Sequence, residues 1–140
     1  MADPYDLGRY VAAQDAGGTY DRALAELRAG RKTTHWMWFV FPQIAGLGAS
    51  PMAVRYAVGS VAEARAYLAH PVLGPRLTAC VAAMNGHQGK SAREILGSPD
   101  DMKFRSCLTL FIAAGGGEAF EAALAKYYGG EADAATLARL

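Results

Sequence analysis

A long apolar run is missing from this sequence of 140 residues. The longest strongly apolar stretch, from Trp36 to Phe41, ends at Pro42, whereas a membrane-spanning helix needs roughly 20 residues. The opening stretch, from Met1 to Asp6, carries acidic residues where a secretory signal has a basic segment followed by an apolar one. The sequence therefore predicts a cytoplasmic protein with no membrane partner.

A charge excess of one sign is missing as well. Lys and Arg together number 14 and Asp and Glu together number 13, which gives a formal net charge of +1. Proteins that bind DNA, RNA or anionic membranes through their overall field are much more basic. We therefore predict no nucleic-acid partner, and an anion site in this chain has to come from a local group of cations.

Cysteines and metal-binding motifs are also scarce. The two cysteines, Cys80 and Cys107, lie in apolar stretches with helical spacing, where a free thiol behaves as a small apolar side chain. Two cysteines are too few for a disulfide scaffold. The sequence contains no HExxH, CxxC or clustered carboxylate pattern of the kind that binds zinc. We predict no metal site and no cofactor.

Period-two alternation, the pattern of half-buried strands, does not occur either. Helix starts and stops recur along the chain instead. Ser60–Glu63 and Ser91–Glu94 have the spacing of capping boxes, and Ser50-Pro51 and Ser98-Pro99 are typical helix starts. We predict an all-α fold, an irregular array of about eight or nine short helices, in a single helical domain over residues 1–140.

Helix ends and buried faces follow from the same patterns. Thr19 is predicted to cap the second helix, and Gly30 is predicted to close it, because glycine readily adopts the left-handed conformation. Apolar residues at helical spacing predict a buried stripe on a later helix, formed by Phe104, Leu108, Phe111 and Ile112.

One short stretch concentrates the side chains that are most useful for binding. Within twelve positions it holds a cation, an imidazole, two indoles and an amide: Lys32, His35, Trp36, Trp38 and Gln43. Aromatic faces of this size stack on flat ligands such as a base or nicotinamide. Aromatic side chains also anchor hydrophobic cores, so a ligand site and a buried core are alternative interpretations of this stretch.

His35 is the candidate for acid-base catalysis. If Thr34 caps the turn that follows, His35 and Trp38 are three positions apart and lie on one helical face, so both address the same ligand. Histidine exchanges its proton near neutral pH. The alternative for a lone histidine is a structural hydrogen bond to a backbone carbonyl.

Three further cations are candidate anion ligands. Lys103 and Arg105 bracket a phenylalanine with buried-type spacing, which places two positive charges beside a packed wall where phosphate binds; Arg55 is the third. Asp100 and Asp101 suit the positive end of the helix that they begin and are alternative acid-base groups. Asp101 and Arg105 are four positions apart, so an ordinary ion pair on the helix surface is the competing interpretation.

Three runs in this order resemble one bacterial family of uncharacterised domains that is often labelled calpastatin-like. They are His35–Gln43, Leu68–Leu77 and Asp100–Ser106. The resemblance covers nearly the whole chain and implies an all-helical, single-domain fold without an established activity or a catalytic residue. The label is not evidence of calpain inhibition.

Two details qualify this resemblance. Cys107 stands where the family is expected to carry a second serine after Ser106, which weakens any mechanism that needs that hydroxyl. The helix starts before the stretch Lys103-Phe104-Arg105 are faintly similar to those of all-helical domains proposed to process NAD and ADP-ribose derivatives.

Two functional hypotheses follow. In the first, the chain binds or processes a nucleotide-like or ADP-ribose-like small anion, with His35 as the catalytic residue. The ligand-binding residues would be Lys32, Trp36, Trp38, Gln43, Arg55, Lys103 and Arg105.

In the second hypothesis, the chain is a non-enzymatic protein-interaction domain. The aromatic run is then part of the core, and exposed faces bind another protein or a second copy of the chain. A pocket converging on His35 and a cation favours the first, and a flat apolar patch favours the second. Whether the chain is an enzyme, and its oligomeric state, stay open at this point.

Overall fold

The computed structural model describes residues 3–140, and helices make up the regular structure of that range apart from one isolated bridge. The helices are α1 (Gly8–Asp15), α2 (Thr19–Ala29), α3 (Met37–Val40), α4 (Pro51–Arg55), α5 (Val61–Ala69), α6 (Leu73–Asn85), α7 (Ala92–Leu96), α8 (Asp100–Ala113), α9 (Glu118–Tyr128) and α10 (Ala134–Leu137). A 3₁₀ turn over Ala16–Gly18 joins α1 to α2.

The predicted all-α class and the array of short helices are confirmed. The described residues contain ten α-helices, close to the predicted eight or nine, and two of them, α3 and α10, have only four residues each. Met1 and Ala2, which the domain prediction and the argument on the opening stretch include, lie outside the described residues. The assignment of 1–140 to a single domain stays a prediction.

Side-chain caps start several of these helices where the sequence predicts them. Ser91 accepts the Glu94 amide, and the Glu94 carboxylate accepts the Ser91 amide, so both halves of the capping box before α7 are formed. Ser50 accepts the Ala53 amide, and Pro51 is the first residue of α4. These caps satisfy amides that have no partner within their own helix.

The box before α5 is only half formed. Ser60 accepts the Glu63 amide at 3.1 Å, but the Glu63 carboxylate accepts the amide of Gly59 at 3.2 Å and pairs with Arg9 at 3.2 Å. Arg9 comes from α1, so a long-range ion pair takes the carboxylate away from the local cap. Its side chain is 14% exposed and that of Glu63 is 9% exposed.

Two predicted caps are wrong by one position. Gly18 is the residue before α2, and the hydroxyl of Thr19 donates instead to the carbonyl of Ala16 at 2.6 Å. Similarly, α8 is preceded by Pro99 rather than by Ser98. Helix ends are the least certain part of any sequence-based assignment, and both helices begin within one residue of the predicted position.

The core is built around α8, which packs against α5, α7, α9 and α10. Phe104, Leu108 and Phe111 of the predicted stripe are fully buried, and Ile112 is half-buried at its edge. Aromatic rings from other helices surround them: Phe104 lies 4.7 Å from Phe41, measured between ring centroids. The N-terminal half of α8 therefore packs against Phe41, the residue that follows α3.

A second group of contacts joins α6 to α2, α5 and α9. Gly74, in the first turn of α6, makes the close approach to α5 possible, because an added Cβ would lie 2.1 Å from the carbonyl oxygen of Leu68. His70 accepts the amides of Val72 and Leu73 through Nδ1 and so shapes the break between α5 and α6. Within residues 3–140 no helix is long and apolar enough to cross a membrane.

Candidate functional site

A buried carboxylate organises the segment between α2 and α3. Glu26, on the inner face of α2, is 8% exposed. Its Oε1 accepts the amides of Thr33 at 2.8 Å and Thr34 at 3.1 Å and the indole N–H of Trp36 at 3.0 Å. Its Oε2 accepts the hydroxyl of Thr34 at 2.6 Å. Four donors therefore converge on one side chain.

This convergence controls the ionisation of Glu26. Burial alone would raise the pKa of its carboxyl, but the hydrogen bonds from Thr34, Thr33 and Trp36 stabilise the charged form and lower the pKa to about 2. The carboxylate is therefore ionised at any ordinary pH. It fixes the path of the chain from Gly30 to Trp36, and so the position of the residues around it.

Two predictions for this segment are corrected by the same contacts. Thr34 is not a helix cap, because its hydroxyl binds Glu26, and Trp36 is the residue before α3. Trp36 is also fully buried, so its ring faces are closed to a stacking ligand. Of the two indoles, Trp38 is the half-buried one.

Two lysines share one carboxylate at the start of α8. The Nζ of Lys32 lies 3.0 Å from Oδ2 of Asp100, and the Nζ of Lys103 lies 3.5 Å from Oδ1 of the same residue. The Lys32 side chain is 8% exposed, and its ammonium lies 5.2 Å from the ring centroid of Trp36. The cluster carries two positive charges against one negative charge, so one positive charge is unbalanced.

A surface cavity of about 380 Å³ opens beside this cluster. We call it the lysine cleft, and its lining includes Lys32, His35, Trp38, Asp100 and Lys103. His35 is exposed, and its ring makes no hydrogen bond to residues 3–140. The structure thus brings together the imidazole, the open indole and the two cations that the sequence singled out. His35 lies before α3 and therefore shares no helical face with Trp38, but both side chains line the same cleft.

A neighbouring cavity of about 410 Å³ lies on the other side of Lys103. We call it the aspartate cleft, and its lining includes Gln43, Ser50, Met102, Ser106 and Asp133. Pro99 and Lys103 line both clefts. Gln43 therefore belongs to the second cleft, not to the one that holds His35.

Backbone pairing holds Gln43 at the edge of the aspartate cleft. The amide of Val58 donates to the Gln43 carbonyl, and the amide of Ala45 donates to the Val58 carbonyl, both at 2.8 Å. These bonds flank the bridge between Ile44 and Val58. The Gln43 side chain makes no hydrogen bond within the described part of the chain and is not buried without a partner, so it is accessible from the cleft.

The two carboxylate oxygens of Asp133 differ: Oδ2 accepts hydrogen bonds from the chain, whereas Oδ1 accepts none from residues 3–140. Its Oδ2 accepts the Ser106 hydroxyl at 3.2 Å and both the amide and the hydroxyl of Thr136, at 3.0 and 2.6 Å. It thereby caps α10. Its Oδ1 accepts no hydrogen bond from residues 3–140 and is not among their buried unpartnered atoms, so it keeps contact with solvent, and Asp133 lines the aspartate cleft.

The remaining predicted cations lie outside both clefts. Arg55 is exposed on α4 and donates to the Tyr56 hydroxyl at 3.2 Å. Arg105 donates to the carbonyls of Glu131 at 2.8 Å and Ala132 at 3.2 Å and pairs weakly with the Glu131 carboxylate. Arg105 therefore holds the loop before α10, and the alternative pairing with Asp101 does not form.

The structural histidine bond that the sequence raised for His35 occurs at another histidine. His87 is half-buried, and its Nε2 lies 2.6 Å from the carbonyl oxygen of Leu27. The Nζ of Lys90 donates to the carbonyl of Gly30 at 3.2 Å. Both side chains interact with the carboxyl end of α2, where positive groups are favoured.

The cysteines are structural. Cys80 and Cys107 are free and fully buried, and burial raises the pKa of the Cys80 thiol to about 12 and that of Cys107 well above its usual range. Neither forms the thiolate that nucleophilic chemistry requires. Within residues 3–140 no group of three or more His, Cys, Asp or Glu side chains is arranged to hold a metal ion.

Sequence reasoning missed the parts played by Glu26, Asp100 and Asp133. Glu26 occupies a position on the same helical face as Ala23 and Leu27, and a charged residue on a buried stripe, followed by two threonines, is the signal that could have found it. Asp100 and Lys103 are three positions apart, and this spacing is the local signal that could have found their contact. No local signal links Asp100 to Lys32 or Asp133 to Ser106.

Comparisons with known proteins agree with this helical structure. A family model described as "Protein of unknown function (DUF1810)" matches residues 4–140. The crystal structure of the conserved hypothetical protein Rv1873 from Mycobacterium tuberculosis is similar, with 55% sequence identity, a TM-score of 0.95, and coverage of 99% of this chain and 98% of that chain. No curated protein sequence matches the chain. The predicted helical family of unknown function is thus confirmed, whereas none of these comparisons carries the calpastatin-like label.

Proposed function

We propose that this chain, which belongs to the DUF1810 family of proteins of unknown function, binds a small organic phosphate in the lysine cleft. The ligand class is that of nucleotides and ADP-ribose-like anions. The observation that carries the proposal is the unbalanced positive charge of Lys32 and Lys103 around the single carboxylate of Asp100. A phosphate group would complete this charge balance.

The position of the cations makes this charge effective. The Lys32 side chain is almost fully buried and that of Lys103 is 30% exposed, so solvent and salt screen them less than they screen cations on an open surface. A cavity of about 380 Å³ is also within the size range of small-molecule sites.

The wall of the cleft suits a flat ligand. Trp38 is half-buried, and the Lys103 ammonium lies 5.9 Å from its ring centroid. An indole beside a cation can stack on a ring while the cation binds the attached phosphate. His35 lines the same cleft, and its imidazole makes no hydrogen bond to residues 3–140. If the ligand is also a substrate, His35 is the acid-base group of our proposal.

Calorimetry with ADP, ADP-ribose and inorganic pyrophosphate tests this site directly. We expect saturable binding that raises the melting temperature and weakens with added salt. Lys103→Met should weaken binding by about tenfold or more, because a hydrogen bond to a charged group is lost. Lys126→Met, at an exposed position of α9 outside both clefts, is the matched control and should bind like the native chain. No heat and no stabilisation with any of the three would exclude the site.

The second candidate function is the protein-interaction domain. Four large apolar side chains, Val54, Met102, Leu137 and Leu140, are 46–64% exposed. Single exposed apolar residues are ordinary in soluble proteins, and only a contiguous patch indicates a docking surface. Failure of the three phosphates to bind would leave this candidate, and sedimentation of the chain over a range of concentrations would then test self-association.

A further inference from the structure

We infer that the ligand extends from the lysine cleft into the aspartate cleft, and that the part bound there is an uncharged group with vicinal hydroxyls, as in the ribose of a nucleoside phosphate. This inference rests on the proposed function, because it assumes that the phosphate binds at Lys32 and Lys103. It adds the chemical class of the rest of the ligand. Its basis is a difference between two clefts that share Lys103: the lysine cleft has a second cation, Lys32, whereas the aspartate cleft has a carboxylate, Asp133.

The two clefts are placed for one ligand. Lys103 and Pro99 line both of them. Lys103 also lines a third, much smaller cavity, whose lining includes Trp38 from the lysine cleft and Gln43 from the aspartate cleft. A molecule whose phosphate contacts Lys103 can therefore have one part in the lysine cleft and another part in the aspartate cleft. Each cleft has the volume of a small-molecule compartment.

The polar groups of the aspartate cleft favour hydrogen-bond donors. Oδ1 of Asp133 is an open carboxylate oxygen, and the accessible Gln43 amide both donates and accepts. A carboxylate repels a second phosphate but accepts strong hydrogen bonds from hydroxyl groups. Vicinal hydroxyls can offer one donor to Asp133 and exchange a second bond with Gln43.

The same surroundings disfavour a cationic group in this compartment. The Asp133 carboxylate already accepts three hydrogen bonds from Ser106 and Thr136 through Oδ2, so its charge is partly stabilised. The ammonium of Lys103 lines the same cleft and repels a ligand amine. Apolar lining from Leu47 and Met102 suits the carbon face of a sugar ring.

The test compares ADP with 2′,3′-dideoxy-ADP on the native chain by calorimetry. Loss of the two hydroxyls should weaken binding by about tenfold, because a charged acceptor is left without its donors. Inorganic pyrophosphate, which lacks the sugar, measures the phosphate contribution alone. This comparison needs no variant and is independent of folding.

The variant Asp133→Asn then tests whether the Asp133 carboxylate is the group that accepts the hydrogen bond from the ribose hydroxyl. Asparagine is a good helix cap, so its amide oxygen can keep the cap of α10 while an NH₂ group replaces the open oxygen. We expect the preference for ADP over the dideoxy compound to fall to about twofold or less, while pyrophosphate affinity is unchanged or rises as the negative charge is removed. A melting temperature equal to that of the native chain confirms that α10 is intact.

Each outcome has a distinct meaning. If pyrophosphate and ADP bind, Lys103→Met weakens both, and dideoxy-ADP binds as tightly as ADP, the proposed function stands and the ribose inference is overturned. Direct binding of the polyamine spermidine to the native chain in the absence of ADP, lost in Asp133→Asn, would also overturn it, since the second cleft would then accept a cation. If neither pyrophosphate nor ADP binds, the proposed function itself fails.

Discussion

At the scale of single residues, two carboxylates with different surroundings shape the lysine cleft. Glu26 lies below the segment that enters α3 and binds only uncharged donors, from Thr33, Thr34 and Trp36. Asp100 lies at the cleft and binds only cations. The first positions the backbone, and the second gathers the charges that a ligand would meet.

Glu26→Gln should therefore destabilise the chain in a pH-dependent way. The folded pKa of about 2 lies below the ordinary value of 4.5, so the ionised carboxylate stabilises the fold above pH 4.5 and loses this effect as the pH falls towards 2. The shift corresponds to about 3 kcal/mol. Glutamine also turns an NH₂ donor towards groups that are themselves donors.

Urea denaturation of Glu26→Gln and the native chain at pH 6 and pH 2.5 measures this difference. The gap in unfolding free energy should be large at pH 6 and clearly smaller at pH 2.5. Glu121→Gln, at an exposed position of α9, makes the same change in charge and should stay close to the native chain at both values. An equal gap at the two pH values would show that the low pKa is wrong.

At the scale of elements, contacts within one helical turn can be predicted from the sequence, whereas contacts between distant elements cannot. The Ser91–Glu94 box could be predicted because both partners lie within one turn. The Ser60–Glu63 box was only half right, because Arg9, more than fifty positions away, binds the carboxylate. The same limit applies to the candidate site. The sequence indicates the aromatic stretch and Lys103, but it does not indicate the contacts of Lys32 with Asp100 or of Ser106 with Asp133, which join distant parts of the chain.

Phe111→Ala tests the central element, α8. Phe111 is fully buried, and its ring centroid lies 5.3 Å from that of Tyr67 and 6.2 Å from that of Phe120. Removing the ring should cost about 3–5 kcal/mol of unfolding free energy, because a cavity is left among rigid neighbours. Urea denaturation measures the loss. Ile112→Ala, at the half-buried edge of the same helix, is the comparison and should cost less. Equal losses would mean that the inner face of α8 is misplaced.

At the scale of the whole molecule, the sites depend on contacts between distant parts of the chain. The lysine cleft combines the loop after α2, with Lys32 and His35, and the first turn of α8. The amide of Lys32 donates to the carbonyl of Ile95 at 2.7 Å, which ties that loop to α7. The buried residues from Leu7 to Leu124 form one contiguous core, so neither half of the cleft has a separate support.

This arrangement predicts a single cooperative unfolding transition. Far-UV circular dichroism reports on all the helices, whereas tryptophan fluorescence reports on Trp36 and Trp38, which lie at the start of α3 beside the cleft. Since both regions share one core, the two signals should change at the same urea concentration. In Phe111→Ala, which alters α8, both midpoints should fall together even though no tryptophan is changed. A fluorescence change that precedes the loss of helix would instead show that the cleft opens independently and that the chain is not one folding unit.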